Sequence, residues 1–182
     1  SDMPYFLAVG HQNIATAFTF KNMHDSVHYH LKKAIPIQIE INDLRGLSKS
    51  YHTLATSLND LKKFTEAKEY FEKAIDANKK LGNQHALASN YYGLASIYRQ
   101  EKKPEKNIEM LEAARNLRGE YDDIELKNKV NIFYNLAILR PNDATMAYEF
   151  GRAFTIKDSI YEARLEGKIV DLQEEYEAEK RE

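Results

Sequence analysis

The sequence predicts an all-α fold of stacked helix pairs, and three observations predict it. The first is a recurring pentamer. Leu31 to Ile35 (LKKAI), Phe71 to Ile75 (FEKAI) and Leu111 to Arg115 (LEAAR) stand forty residues apart, each with a large residue three positions before an Ala. That spacing places the pair on one face of a helix, and the fixed period marks an internal repeat. The second is an upstream pair in the same register, Ile14-Ala15, Leu54-Ala55 and Leu94-Ala95, joined by Phe18, Leu58 and Tyr98. The third is punctuation. Asp43, Asn83 and Asp123 recur at the same step where a helix N-cap is wanted, and only 7 Gly and 4 Pro leave room for short loops alone.

Each unit therefore reads as helix A, a short turn and helix B. The first A helix covers about 5–20 and its B helix about 25–41, with Pro36 expected to kink it by removing one backbone bond. The second pair spans about 43–60 and 65–81, and Gly82 is placed to end it. The third spans about 83–100 and 104–117, with Pro104 at a first helical position and Gly119 as a stop. A fourth A helix starts near Asp122, where Asp122 and Glu125 fit a capping box, and runs to Arg140. Its B helix follows the Pro141-Asn142-Asp143 turn to about Lys157. The character changes at Asp158. From there to Glu182 the chain holds nine acidic and four basic residues, and Leu165, Ile169, Leu172 and Tyr176 form a narrow coiled-coil-like seam. The expected organisation is a repeat array over 1–157 and a C-terminal helix over 158–182.

The totals exclude several functions. A formal charge of −2 gives no global attraction to nucleic acid or to an anionic membrane. The absence of Cys rules out disulfides and thiolate metal sites. No run of about 18 apolar residues exists to span a bilayer. No nucleophile elbow, phosphate loop or dinucleotide fingerprint is present. The carboxylate pairs Asp122-Asp123 and Glu174-Glu175 belong to a helix cap and an acidic tail rather than to acid–base chemistry. Lys102, Lys103, Lys106, Arg115 and Arg118 are scattered among Glu. His24 and His28 lie four apart and share a helix face, but no further ligand completes a metal set.

Tyr51, Leu54, Ala55, Leu58, Ala67, Phe71 and Ala74 resemble, in order and spacing, the consensus of a tetratricopeptide repeat. The third unit matches at Tyr91, Leu94, Ala95, Tyr98, Leu111 and Ala114, with Asn107 where a small residue is usual. The first has His11 in place of the large aromatic, and the fourth keeps Phe133, Leu136 and Ala137. The resemblance implies a right-handed superhelix of about four helix pairs plus the C-terminal helix. The last segment narrows it. Lys157 to Ile160, Ile169 to Leu172, Glu175 to Glu177 and Glu179-Lys180 resemble the stretch after the repeats in a bacterial family of membrane-bound signalling proteins. In that family a repeat sensor outside the cytoplasmic membrane precedes one membrane helix and a histidine kinase or DNA-binding regulator.

Repeat arrays of this kind line a concave surface with their A helices. The register assigns Gln12, His52, Tyr92 and Tyr134 to one inward row, Thr16, Thr56, Ser96 and Ile138 to the next, and Asn59 and Arg99 to a third. The surface so formed is polar, weakly charged and partly aromatic, which suits an extended or helical peptide. The Lys and Asn that clamp a C-terminal carboxylate in some tetratricopeptide domains are absent from these rows. The reading is a non-enzymatic sensor region, extracytoplasmic, binding a peptide or protein partner on the concave face without cofactor or metal. It reaches a membrane only through a segment beyond residue 182, and a weak homodimer through the C-terminal helix is expected. The alternative is a cytoplasmic adaptor or peptide-sensing protein.

Overall fold

The computed structural model describes residues 3–117 together with 135, 136 and 138–140. The chain divides into two compact units, Ser1–Gly119 and Glu120–Glu182. The first contains six helices: α1 (Met3–Phe20), α2 (His24–Glu40), α3 (Leu44–Asp60), α4 (Phe64–Leu81), α5 (Gln84–Gln100) and α6 (Pro104–Arg115). They form the three expected A/B pairs, and each predicted start lies within about two residues of the observed one, the usual uncertainty of helix ends. In the second unit, residues 135, 136, 138 and 139 are helical and Leu136 is fully buried, at the large position expected of a fourth A helix. The change of character at 157/158 lies outside the described residues.

The pairs close at alanine. Ala15 and Ala34, Ala55 and Ala74, and Ala95 and Ala114 are all 0–2 % exposed. A methyl side chain at these sites lets helix A and helix B approach closely, and the large neighbours fill the space between one pair and the next. Leu58, Phe71, Ile75, Leu87, Leu94 and Ile97 form the main apolar cluster, with Tyr91 and Tyr98 packed against it. A smaller cluster of Ala15, Val27 and Leu31 holds the first pair. The positions where B helices meet their partners, Val27, Ala67 and Asn107, are all buried, so the irregular Asn107 occupies the small-residue site. Pro36 lies inside a continuous α2.

The turns repeat at half the period. Asn22, Asn42, Lys62, Gly82 and Lys102 stand twenty residues apart, and each has φ between 54 and 64°. In every case the following N–H returns to a carbonyl five residues back: Met23 to Phe18, Asp43 to Gln38, Lys63 to Leu58, Asn83 to Asn78 and Lys103 to Tyr98. The left-handed residue itself bonds three back. This is the Schellman closure, which satisfies the last carbonyls and reverses the chain in three residues. The A helices then restart under side-chain caps at two of the three Asx sites. Asp43 accepts from the Gly46 N–H at 2.9 Å, and Asn83 accepts from the Ala86 N–H at 3.1 Å. Asp123 lies outside the described residues.

Two predictions follow from close contacts and strained backbone. Lys62 sits in the left-handed region, which costs a β-carbon residue about 1–2 kcal/mol, partly offset by the entropy that Gly loses on folding. Lys62→Gly is expected to stabilise by about 1 kcal/mol in chemical denaturation. Gly93 faces Phe71, and a Cβ there would overlap the Phe71 ring. Gly93→Ala, which ordinarily favours a helix, is therefore expected to destabilise by about 1–3 kcal/mol. Phe71→Leu in the same chain should recover most of that loss, since the equivalent pair one repeat earlier is Leu31 and Thr53.

Candidate functional site

A cavity of about 450 Å³ opens along the N-terminal halves of the A helices. From α1 it takes Tyr5, Val9, Gln12 and Asn13. From α3 and its cap it takes Asp43, Arg45, Gly46, Ser48, Lys49 and His52. Its far end is formed by Asn78 and Leu81 at the close of α4 and by Asn83, His85, Ala86, Ser89 and Asn90 at the start of α5. Three helix starts thus converge on one depression. Arg45 and Lys49 line it together with Asp43, which leaves one net positive charge on its wall.

The inward row predicted from the register divides here. Gln12 and His52 line the cavity, but their polar atoms already serve the neighbouring repeat. Gln12 Nε2 donates to Gly46 O at 2.7 Å and to Ser50 Oγ at 3.0 Å. His52 Nδ1 lies 2.7 Å from Asn90 Oδ1 and the ring meets Phe71 edge-on. The Gln12–Ser50 and His52–Asn90 links each join residue i to i+38 in the next repeat. Thr16 and Thr56 turn their hydroxyls back to the carbonyls of Gln12 and His52, each at 3.0 Å. Asn59 Oδ1 accepts from Gln100 Nε2 at 3.0 Å. Tyr92 and Ser96 are half-buried and Arg99 is exposed. None of Thr16, Thr56, Asn59, Tyr92, Ser96 or Arg99 lines the cavity. Tyr134 lies outside the described residues.

Of the predicted residues the cavity takes Gln12 and His52, and most of its remaining A-helix lining lies nearer the helix starts. Val9, Lys49 and Ser89 line the cavity and stand forty residues apart, three positions before the predicted row. Their repeat was visible in the sequence. Asn78 was not, because it comes from a B helix. It is 1 % exposed and neither of its amide atoms has a hydrogen-bond partner; Asn90 Nδ2 is unpartnered as well.

The histidine cluster is structural. His24 Nδ1 and His28 Nε2 both approach Ser57 Oγ, at 2.9 and 3.2 Å, which ties α2 to α3 from one helix face as their spacing implied. His30 points elsewhere. Its Nδ1 lies 2.9 Å from that of His11, and its ring stacks on Phe18. Among the described residues no three His, Cys, Asp or Glu gather as a metal set. Burial lowers the pKa of His11, His28 and His52. His30 and Lys33 add to the effect at His11, and Lys63 and His24 at His28, where Asp25 and Glu66 oppose it. The bond to Asn90 opposes it at His52.

Each of these histidines is held neutral in the fold and protonates more readily when unfolded. Their contribution is therefore complete above the unfolded value of about 6.5 and falls as the pH drops below it through the folded values. Denaturation midpoints should be flat above neutrality and decline as the pH falls below 6.5. His52→Gln, which keeps a donor towards Asn90, should make that decline shallower; an identical slope would remove His52 from the account.

The family model for the tetratricopeptide repeat matches residues 46–120. The chain is 29% identical over 105 residues to the regulatory protein RapK of Bacillus subtilis (strain 168), a match over 57% of this chain and 28% of that protein. The chain thus spans little more than a quarter of its curated relative's length. In three dimensions it is similar to the crystal structure of BtubC (BKLC) from P. vanneervenii, with a TM-score of 0.65 and 21% sequence identity over 91% of this chain and 66% of that one. That likeness bears on fold alone. With the helix pairs, the buried alanines and the repeated turns, it gives an all-α tetratricopeptide-type superhelix, with residues 46–120 matching the tetratricopeptide repeat model.

Proposed function

We propose that this chain is the ligand-recognising region of a bacterial regulatory protein, and that it holds a peptide or protein partner in the groove of its A helices. The observation that carries the reading is the cavity itself. It is built from three successive A helices, so a ligand lying along it would contact several repeats at once. Its lining mixes Tyr, Asn, Ser and His with few charges, which suits a peptide main chain and its polar side chains better than a nucleic acid or a metal. The chain acts by binding and not by catalysis. Binding that favours one curvature of the array would bias the segment that follows, since a ligand shifts an equilibrium only by its differential affinity for the two states.

Two settings are compatible with this activity, and different observations favour them. The likeness of 157–182 to the linker of membrane-bound signalling proteins favours an extracytoplasmic sensor, with a membrane helix and a kinase or DNA-binding output beyond residue 182. In that setting the C-terminal helix would pass the signal and pair with a second copy. The similarity to a regulatory protein over 105 residues favours a peptide-sensing protein or adaptor without a membrane step. Among the described residues no helix is long and apolar enough to cross a membrane. Reading the coding sequence past residue 182 separates the settings: an apolar span of about 20 residues selects the sensor, and a directly attached soluble domain selects the other.

Ser89 is half-buried on the cavity wall and belongs to no core cluster. Ser89→Trp should fill the cavity, leave the helical content intact and lower the capture of peptides from a random library at least tenfold. Equal capture by the variant and the parent would place the binding surface elsewhere.

A further inference from the structure

Two carboxamides on the cavity wall are buried without a full set of partners. Asn78 is 1 % and Asn90 0 % exposed, and both line the cavity. Asn78 stands in the last turn of α4, where its carbonyl accepts the Asn83 N–H at 3.0 Å in the turn closure. The closure fixes its backbone at the junction with α5. Neither Nδ2 nor Oδ1 of Asn78 has a hydrogen-bond partner. Asn90 Oδ1 is taken by His52 Nδ1 at 2.7 Å, and Asn90 Nδ2 is left over. A buried amide group without a partner costs the fold its desolvation, so native interiors hold few of them. An apolar side chain of similar size at position 78 would avoid that cost.

We propose that the Asn78 side chain holds the main chain of one residue of an extended peptide, as a neighbouring β-strand would, and that Asn90 Nδ2 donates to a further peptide carbonyl. The assignment rests on the groove reading above and deepens it, by naming the groups that hold the ligand and the part of the ligand they hold. The unmet atoms select that part. Asn78 presents a donor and an acceptor side by side, and their complement is an acceptor beside a donor. One residue of an extended chain supplies both, because its C=O and N–H point to the same side and are exchanged together with a paired strand. A carboxylate or a phosphate offers acceptors alone and would leave Asn78 Oδ1 unmet.

Recognition of this kind gives affinity through the main chain and tolerates many side chains at the residue held. It also gives the empty protein a signature. Asn78→Leu removes an unmet amide, so the free chain should become more stable while its peptide binding falls. Gln38 supplies the contrast. It stands forty residues before Asn78, is 0 % exposed and has both amide atoms unpartnered, but it does not line the cavity. Gln38→Met should share the gain in stability and leave peptide binding unchanged.

The probe is a synthetic library of random octapeptides, acetylated and amidated at their ends, captured on the 182-residue chain. The most enriched sequence is remade as a series in which one amide at a time becomes an ester, which removes a single N–H and keeps every side chain. One replacement should weaken binding to the parent by about tenfold, the worth of one buried hydrogen bond. Asn78→Leu should bind the all-amide peptide about tenfold more weakly than the parent does, and should be indifferent to that same replacement. If the variant does not fold, the ester series on the parent decides alone. A flat ester series overturns the proposal, and so does a folded Asn78→Leu that binds as tightly as the parent. A flat series with Asn or Gln enriched at one position would assign the site to a side-chain carboxamide and overturn the main-chain assignment. In any of these cases, capture that is still lost in Ser89→Trp keeps the groove reading and strikes this one alone. No capture by the parent, or equal capture by Ser89→Trp, removes both.

Discussion

The close approach of helix A to helix B at alanine is the contact on which the rest depends. Six alanines, at 15, 34, 55, 74, 95 and 114, are sealed from water, and their separations alternate between 19 and 21 residues. A side chain larger than methyl at any of them would force the pair apart, and interiors packed at crystal-like density do not absorb such a change locally. The interaxial distance then fixes how far large residues such as Leu31, Phe71 and Leu111 reach toward the next pair. Repeat stacking follows from pair closure.

The turns impose the second constraint, and they do so with less help from sequence. A Schellman closure every twenty residues sets the angle at which each helix re-enters the stack. Gly82 announced its turn, because Gly occupies the left-handed region at no steric cost. Asn22 and Asn42 are compatible with it. Lys62 and Lys102 give no local signal at all, and there the flanking helices impose the conformation against the preference of the residue. That is why the helix pairs were legible in the sequence and the identity of their turns was not. The alanine register is a steric code written in residue size, whereas the turn at Lys62 is decided by tertiary packing.

The groove was legible in part for a similar reason. Period and register identify which helices face inward. They do not say which turn of each helix is uncovered, because that depends on how the next repeat is offset. Gln12 and His52 line the cavity, but their side chains bond across the repeat to Ser50 and Asn90. One turn earlier, Val9, Lys49 and Ser89 line the cavity as well. Asn78 enters only because α4 ends beneath α5, a relation between a B helix and the following A helix that no single-helix pattern contains. The buried polar links also have a consequence for specificity. Gln12 to Ser50 and His52 to Asn90 are satisfied in one register of adjacent repeats, so a slipped stack would leave buried donors and acceptors unpaired. Apolar contacts between Leu and Ile residues alone would tolerate such a slip far better.

A stacked array buries a continuous core inside and leaves one unburied face at each end. α1 carries an exposed apolar face, and it is also a wall of the groove. With about 100° between successive residues on a helix, Tyr5, Val9 and Gln12 point to the cavity, while Met3, Leu7, Gly10 and Ile14 point away from it. The two surfaces meet near Asn13, which lines the cavity and stands beside the apolar face. A ligand in the groove therefore contacts α1 on one side only. α1 buries three residues, Ala8, Gln12 and Ala15, whereas α3 buries eight, so a ligand that favours one tilt of α1 meets less resistance there than at α3.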